Sequence, residues 1–444
     1  MKRILRASRI AEEPEDHMII PEDDHDTDDS DNHRNLMFFM LIMCSILPQF
    51  RVGVEDPFIF SRNRHMFHQA LPAHQRRIQE RRIPRGALND PTQSGWRRLY
   101  KSGSDQALIT YTGFDHASFN FLLGLFSPLC NQYSPHVNMR KLTPLQRRGR
   151  PRMHTASDIL GLNLAWSRTK GSIQSLSIIF GMTATNVHRY LYFGRRILIM
   201  VLQSHPDAAI RIPSAEKIEE YKQAVNNKHN LLTDVWCCFD GLKLGTQAPT
   251  NAGLQRIFYN AWKADTFVKG VFAFVPDGKI VIAYFNVPGS VHDSQLAYLG
   301  NIYGKLKSVY DQCGGIAVGD SAFAACERDY IIKSSANNKD GPPPNLNFMS
   351  EEELHDYLVN NQATSLRQTS EWGMRGLQSS FPRLNDRIHY EQYSERKYIM
   401  KLFLLLYNLR ASRVGINQIT NTYMPHLNQE ADNLFPQFND APND

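Results

Sequence analysis

Three acids in distinctive settings are the residues best placed to do chemistry. Asp240 closes the apolar run Val-Trp-Cys-Cys-Phe-Asp-Gly, and Asp320 closes Gly-Gly-Ile-Ala-Val-Gly-Asp-Ser. Glu371 opens the helical pattern Ser-Glu-Trp-Gly-Met-Arg-Gly-Leu-Gln-Ser-Ser-Phe-Pro-Arg-Leu. An acid at the end of a buried strand sits where a sheet meets solvent, held by a rigid element. Two such acids and a third from a helix can converge, and carboxylates held close repel unless a cation compensates them. Hard oxygen donors without His or Cys partners favour Mg²⁺ or Mn²⁺. Two such ions, about 4 Å apart, can activate a water or a 3′-hydroxyl and steady a leaving oxygen. That is the chemistry of phosphodiester cleavage and transfer.

Each acid also has a plainer reading. Asp240-Gly241 is a common turn pair, Asp320 can cap a following helix, and Glu371 can be a first-turn acid that complements the helix dipole. A fourth acid lies in Pro288-Gly289-Ser290-Val291-His292-Asp293-Ser294. His292 and Asp293 are candidates to orient substrate or a metal ligand; capping of the next helix is the competing role, slightly favoured for His292.

The elements that must position these groups follow from the patterning. Strands are expected at 235–239, 269–275 and 279–287, the last two joined by the Pro276-Asp277-Gly278 turn. A helix is expected over 294–310, a strand over 315–319, and helices at about 369–380 and 390–411. Residues 334–368 are polar, contain Pro342-Pro343-Pro344, and are expected to be an inserted loop with a small helix at 351–359. The order predicts a mixed α/β sheet flanked by helices, in which a helical crossover returns the Asp320 strand beside the Asp240 strand.

Upstream, residues 155–200 are expected to be helical. Ser172 and Thr183 are candidate helix caps on either side of a Gly181-Met182 turn, which is the spacing of a helix-turn-helix. On that reading Thr183, Thr185, Asn186, His188 and Arg189 face DNA; an ordinary helical hairpin is the equal alternative. Further candidates to hold DNA phosphates are the basic residues at 62–98 and 140–152, including Arg147, Arg148 and Arg150, together with Lys263, Lys269, Arg375 and Arg383.

The chain has 444 residues, a formal charge of +6 and 42% hydrophobic residues, enough for two domains and a substantial core. Residues 12–31 carry eleven acids and no Lys or Arg, and are expected to be disordered. The six cysteines form no C-x-x-C pair, which argues against zinc and fits reduced thiols in the cytosol or nucleus. The apolar stretch at 36–47 is too short for a membrane span, which takes roughly 20 residues. The expected division is an acidic tail (1–35), a basic N-terminal region (36–153), a helical region (154–230), a sheet domain (231–415) and a C-terminal tail (416–444).

Four motifs, in order, resemble transposases of the PIF/Harbinger group and their domesticated nuclease relatives: Cys238-Phe239-Asp240-Gly241, Pro288 to Ser294, Gly319-Asp320-Ser321-Ala322-Phe323, and Glu371-Trp372-Gly373 with Leu377 and Phe381. They span about 231–390. The resemblance implies an RNase H-like fold with Asp240, Asp320 and Glu371 as a metal-binding catalytic triad, preceded by a helix-turn-helix. It implies DNA as substrate, a nuclear location (with the cytoplasm second), a separate Myb-like DNA-binding partner, and a second copy of the chain as a further candidate partner. The sequence departs from the family where Ala322-Phe323-Ala324 replaces the commoner Gly-Tyr-Pro, and where the glutamate helix lacks an Arg-Ala-Phe-Gly run; the three acids themselves are kept. A catalytically silent DNA-binding or scaffold protein, and a metal-free hydrolase using two carboxylates, are the other functions considered.

Overall fold

The computed structural model describes residues 83–135, 139, 141–142, 152–323, 329–334, 349–388 and 393–427. All of them lie in the compact unit Arg82–Asp444. The acidic tail, the apolar stretch at 36–47 and Arg147, Arg148 and Arg150 lie outside the described residues.

Seven helices precede the sheet among the described residues: α1 (Gly95–Lys101), α2 (Asp105–Thr112), α3 (His116–Gln132), α4 (Ala156–Arg168), α5 (Ile173–Phe180), α6 (Ala184–Leu202) and α7 (Ala215–Asn226). Short polar side chains start most of them. Asp115 accepts from Ser118 N at 2.7 Å and Ser172 from Ser175 N at 3.1 Å, satisfying amides that have no partner within the helix. Gly181 ends α5 at φ +62°, a left-handed conformation that glycine adopts without penalty.

The sheet follows: β1 (Val235–Gly245), a short helix α8 (Ala252–Phe258), β2 (Tyr259–Asn260), β3 (Asp265–Phe274) and β4 (Ile280–Pro288). Then come α9 (Asp293–Leu299), α10 (Ile302–Cys313), β5 (Ile316–Asp320) and β6 (Ile331–Ser334). The helices α11 (Glu351–Ser380), α12 (Tyr393–Arg413) and α13 (Gln418–Tyr423) close the fold. Both β1 and β4 pair antiparallel with β3, and the two residues of β2 pair with its start. On the other side β5 runs parallel to β1, and β6 parallel to β5. The expected hairpin forms, with Gly278 at φ +80° in its turn, and the Asp320 strand does return beside the Asp240 strand.

Four expectations change. First, Asp240 does not end its strand; β1 runs on to Gly245. Val235 to Phe239 are buried in succession, whereas beyond Asp240 burial alternates, with Leu242 and Leu244 in and Lys243 out. The apolar run therefore stops where one face of the strand becomes exposed, although pairing continues. Second, 351–380 is one thirty-residue helix rather than a small helix in a loop. Its first turns are largely solvent-exposed, yet Ser350 and Glu353 form a complete capping box. Third, the crossover is two helices, broken at Asn301, whose φ is +48°. Fourth, part of the C-terminal tail is core: Ile419, Tyr423 and Met424 are buried.

The helical region and the sheet share one hydrophobic core, which includes Phe193, Leu198, Trp236, Phe274, Phe381 and Phe403. Among the described residues no helix is long and apolar enough to cross a membrane.

Candidate active site

β1 and β5 are paired in parallel, with Phe239 opposite Gly319. Asp240 and Asp320 are the next residues on each strand, so they occupy equivalent positions on neighbouring strands. Side chains alternate along a strand. Phe239 packs against Phe323, with ring centroids 5.2 Å apart, and a Cβ placed on Gly241 would touch Phe323 and Asp293. Phe239 and Gly241 thus define one face of the sheet, and Asp240 belongs to the other.

That other face is covered by α11. Gly373 allows the close approach: a Cβ there would lie 2.4 Å from the Phe274 ring. Glu371 therefore comes from the middle of a long helix packed on the sheet, not from a first turn. Arg367, one turn earlier, places Nη1 3.8 Å from Asp240 Oδ2. Glu371 is half-exposed and lies 3.9 Å from Arg375, which is itself exposed.

Burial pushes the Asp240 carboxyl up to about 6, with Asp320 and Glu371 adding in the same direction. The Gly241 N–H, donating to Oδ1 at 2.6 Å, and the Arg367 guanidinium oppose the shift. Asp320 and Glu371 thus both lie within electrostatic reach of Asp240. The plainer reading survives in part for Asp320, whose Oδ1 accepts from Ser321 N at 2.8 Å at the start of a single 3₁₀ turn.

Three carboxylates suit a hard divalent ion in kind. They are not gathered around one point: among the described residues no group of three His, Cys, Asp or Glu side chains is arranged to hold a metal. For these acids to hold an ion, Asp240 would have to part from Arg367 and Glu371 from Arg375.

The remaining candidates separate clearly. His292 caps α9, its Nδ1 accepting from Ser294 N at 3.3 Å. Asp293 is the first residue of that helix and pairs with Lys269 at 2.8 Å. It sits under Gly241, on the face opposite Asp240, and it is not among the charges that perturb Asp240. Lys269 is corrected as a DNA contact: its ammonium is buried and held by Asp293 and by Val291 O at 2.9 Å. Arg383 donates to Trp166 O, Thr169 O and Gly171 O, and Arg97 grips Asp158 at 2.7 Å. Arg152 donates to the carbonyls of Cys130 and Tyr133. These cations tie elements together.

Lys263 and Arg375 are exposed, as are Thr185, His188 and Arg189 early in α6; Thr183 and Asn186 are half-buried there. Arg367 escaped the sequence reading, although its spacing of four before Glu371 would have placed it on the same helical face.

An α/β domain with two acids at equivalent positions on adjacent parallel strands and a covering helix is of the type found in nucleases. Residues 239–408 match the family model for the DDE superfamily endonuclease, a stretch that contains all three acids, α11 and most of α12. Comparison with curated proteins and with solved structures gives no match.

Proposed function

We propose that this chain is a metal-dependent DNA endonuclease and transposase of the Harbinger type, with an RNase H-like catalytic domain preceded by a helix-turn-helix. The observation that carries the reading is the register of β1 and β5, which puts Asp240 and Asp320 side by side within reach of Glu371. The strand order supports it as well: three antiparallel strands, then two parallel ones, with the first two acids on the central pair.

In this reading Asp240, Asp320 and Glu371 hold Mg²⁺ or Mn²⁺. Bound ions would supply the positive charge that permits the three carboxylates to stay ionised together and that activates a water or 3′-hydroxyl toward a phosphodiester. Arg375, paired with Glu371 at 3.9 Å, and Lys263 are exposed and would meet phosphates, contacts that position DNA without reading its sequence. Thr185, His188 and Arg189 are presented by α6 to a groove. A nuclear location, a Myb-like partner and self-association belong to the same proposal.

The Arg367–Asp240 pair favours a second reading, a silent DNA-binding relative in which a guanidinium has taken the cation's place. One experiment separates the two. Purified protein is incubated with terminal-repeat DNA and Mn²⁺. The transposase reading expects cleavage that disappears in Asp240→Ala, Asp320→Ala and Glu371→Ala. Cleavage that persists in all three variants would sink the assigned acids, and DNA binding without any cleavage would favour the silent protein.

A further inference from the structure

The residue least explained by the fold is Trp262, 89% exposed in the turn between β2 and β3. An indole left in water forgoes the burial that ordinarily stabilises a large aromatic. The other four tryptophans are buried or half-buried. The turn that carries Trp262 is well braced. Lys263 N donates to Asn260 O at 3.2 Å and to Asn260 Oδ1 at 3.1 Å, Asn260 Nδ2 donates to Gly289 O at 2.9 Å, and Ala264 takes φ +50°. The backbone therefore holds the ring outward.

Exposed cations lie on the elements next to this turn: Lys263 follows Trp262 in the chain, Arg256 is on α8 and Lys243 is on β1, and none of the three forms an ion pair among the described residues. The nearby acid is already used, since Asp265 accepts from Arg387 at 3.0 and 3.2 Å. Lys243 Nζ lies 5.7 Å from the centre of the Phe267 ring, and burial, then the charge of Lys263, lower its pKa. Tyr259, 40% exposed, adds a second aromatic. An aromatic face among cations is the composition of a stacking platform for single-stranded nucleic acid, the cations tracking the backbone while the ring takes a base.

We infer that Trp262 stacks against an unpaired nucleobase of the DNA substrate, with Lys243, Arg256 and Lys263 holding the adjoining phosphates. A base inside a duplex has both faces covered by its neighbours, so only an unpaired or displaced base offers the ring a partner. The inference rests on the DNA reading of the active site and adds to it a preference for distorted or single-stranded DNA.

The test uses the full chain without divalent metal and two fluorescent oligonucleotides, a continuous duplex and the same duplex with one extruded 2-aminopurine. Trp262→Ala is expected to weaken binding to the second by about tenfold, within the worth of one base–aromatic stack, and to leave the first nearly unchanged. Trp262→Phe should restore most of the loss. The triple Lys243→Ala, Arg256→Ala, Lys263→Ala variant should weaken both and flatten the salt dependence. Equal loss on both DNAs, or none, would overturn the stacking role while leaving the DNA reading intact. Absence of binding by the unmodified protein to either DNA would overturn both. A sedimentation change from dimer to monomer in Trp262→Ala, with DNA binding unaltered, would overturn the inference and assign the ring to a second copy of the chain.

Discussion

Arg367 Nη1 lies 3.8 Å from Asp240 Oδ2, and Arg367 stands one helical turn before Glu371 on α11. One helix thus delivers both a third carboxylate to the site and a cation to its most buried acid. A divalent ion bound at Asp240 would compete with the guanidinium for the same oxygen. A partly screened pair at this distance is worth on the order of 1 kcal/mol, about fivefold in an equilibrium. Arg367→Met is therefore expected to strengthen Mn²⁺ binding several-fold at pH 8, where Asp240 is ionised in both proteins. Isothermal calorimetry reads this directly, and weaker binding by the variant would show that Arg367 assists the metal instead.

Asp240 should give the metal-free protein a distinctive pH dependence. Burial raises its carboxyl to about 6, above the value near 3.9 of an unfolded chain. Between those values the folded state holds the extra proton, so stability declines as pH rises from about 4 through 6 and then levels. The cost of the ionised form is at most ~3 kcal/mol. Asp240→Asn is expected to unfold at higher urea than the unmodified protein at pH 7.5 in EDTA, and to match it near pH 4. Mn²⁺ should narrow the gap. A variant less stable than the parent at pH 7.5 would contradict this account.

The hairpin and the neighbouring strands of Asp240 and Asp320 were legible because each leaves a local mark: an apolar run, a Pro-Asp-Gly turn, a change of period. What was not legible depended on surfaces that sequence does not separate. The exposed half of β1 beyond Asp240 shows as alternation rather than as an apolar run. The polar stretch at 360–368 hid the continuity of α11, so a small helix at 351–359 and a later one at about 369–380 were expected in place of a single thirty-residue helix. Lys269 and Arg383 looked like DNA contacts because charge in a sequence carries no direction; both turn inward, to Asp293 and to three backbone carbonyls.

Gly373 tests whether the close approach of α11 sets the site. Replacing glycine by alanine inside a helix ordinarily stabilises by up to about 1 kcal/mol. Here the added methyl carbon would meet the Phe274 ring at 2.4 Å, an overlap that only a shift of helix or ring relieves, at roughly 1–3 kcal/mol. Gly373→Ala is expected to lower the urea midpoint and to reduce cleavage by displacing Glu371. Phe274→Leu in the same chain should recover part of the stability. A midpoint raised by Gly373→Ala alone would mean that the helix is free to move away.

Asp293 offers the sharpest separation of structure from chemistry. It holds the ammonium of Lys269, whose side chain is 7% exposed, while Asp293 itself is 28% exposed. Asp293→Ala leaves that buried charge with Val291 O alone, at a cost of about 2 kcal/mol. Removing both charges avoids the unpaired ion, so Lys269→Met combined with Asp293→Ala is expected to recover most of the loss in urea denaturation, and to recover Mn²⁺-dependent cleavage with it. A role for Asp293 in binding metal or substrate predicts the opposite pattern, in which the double variant is stable and still fails to cut. Asp293 lies on the face of the sheet away from Asp240, and that placement supports the first outcome.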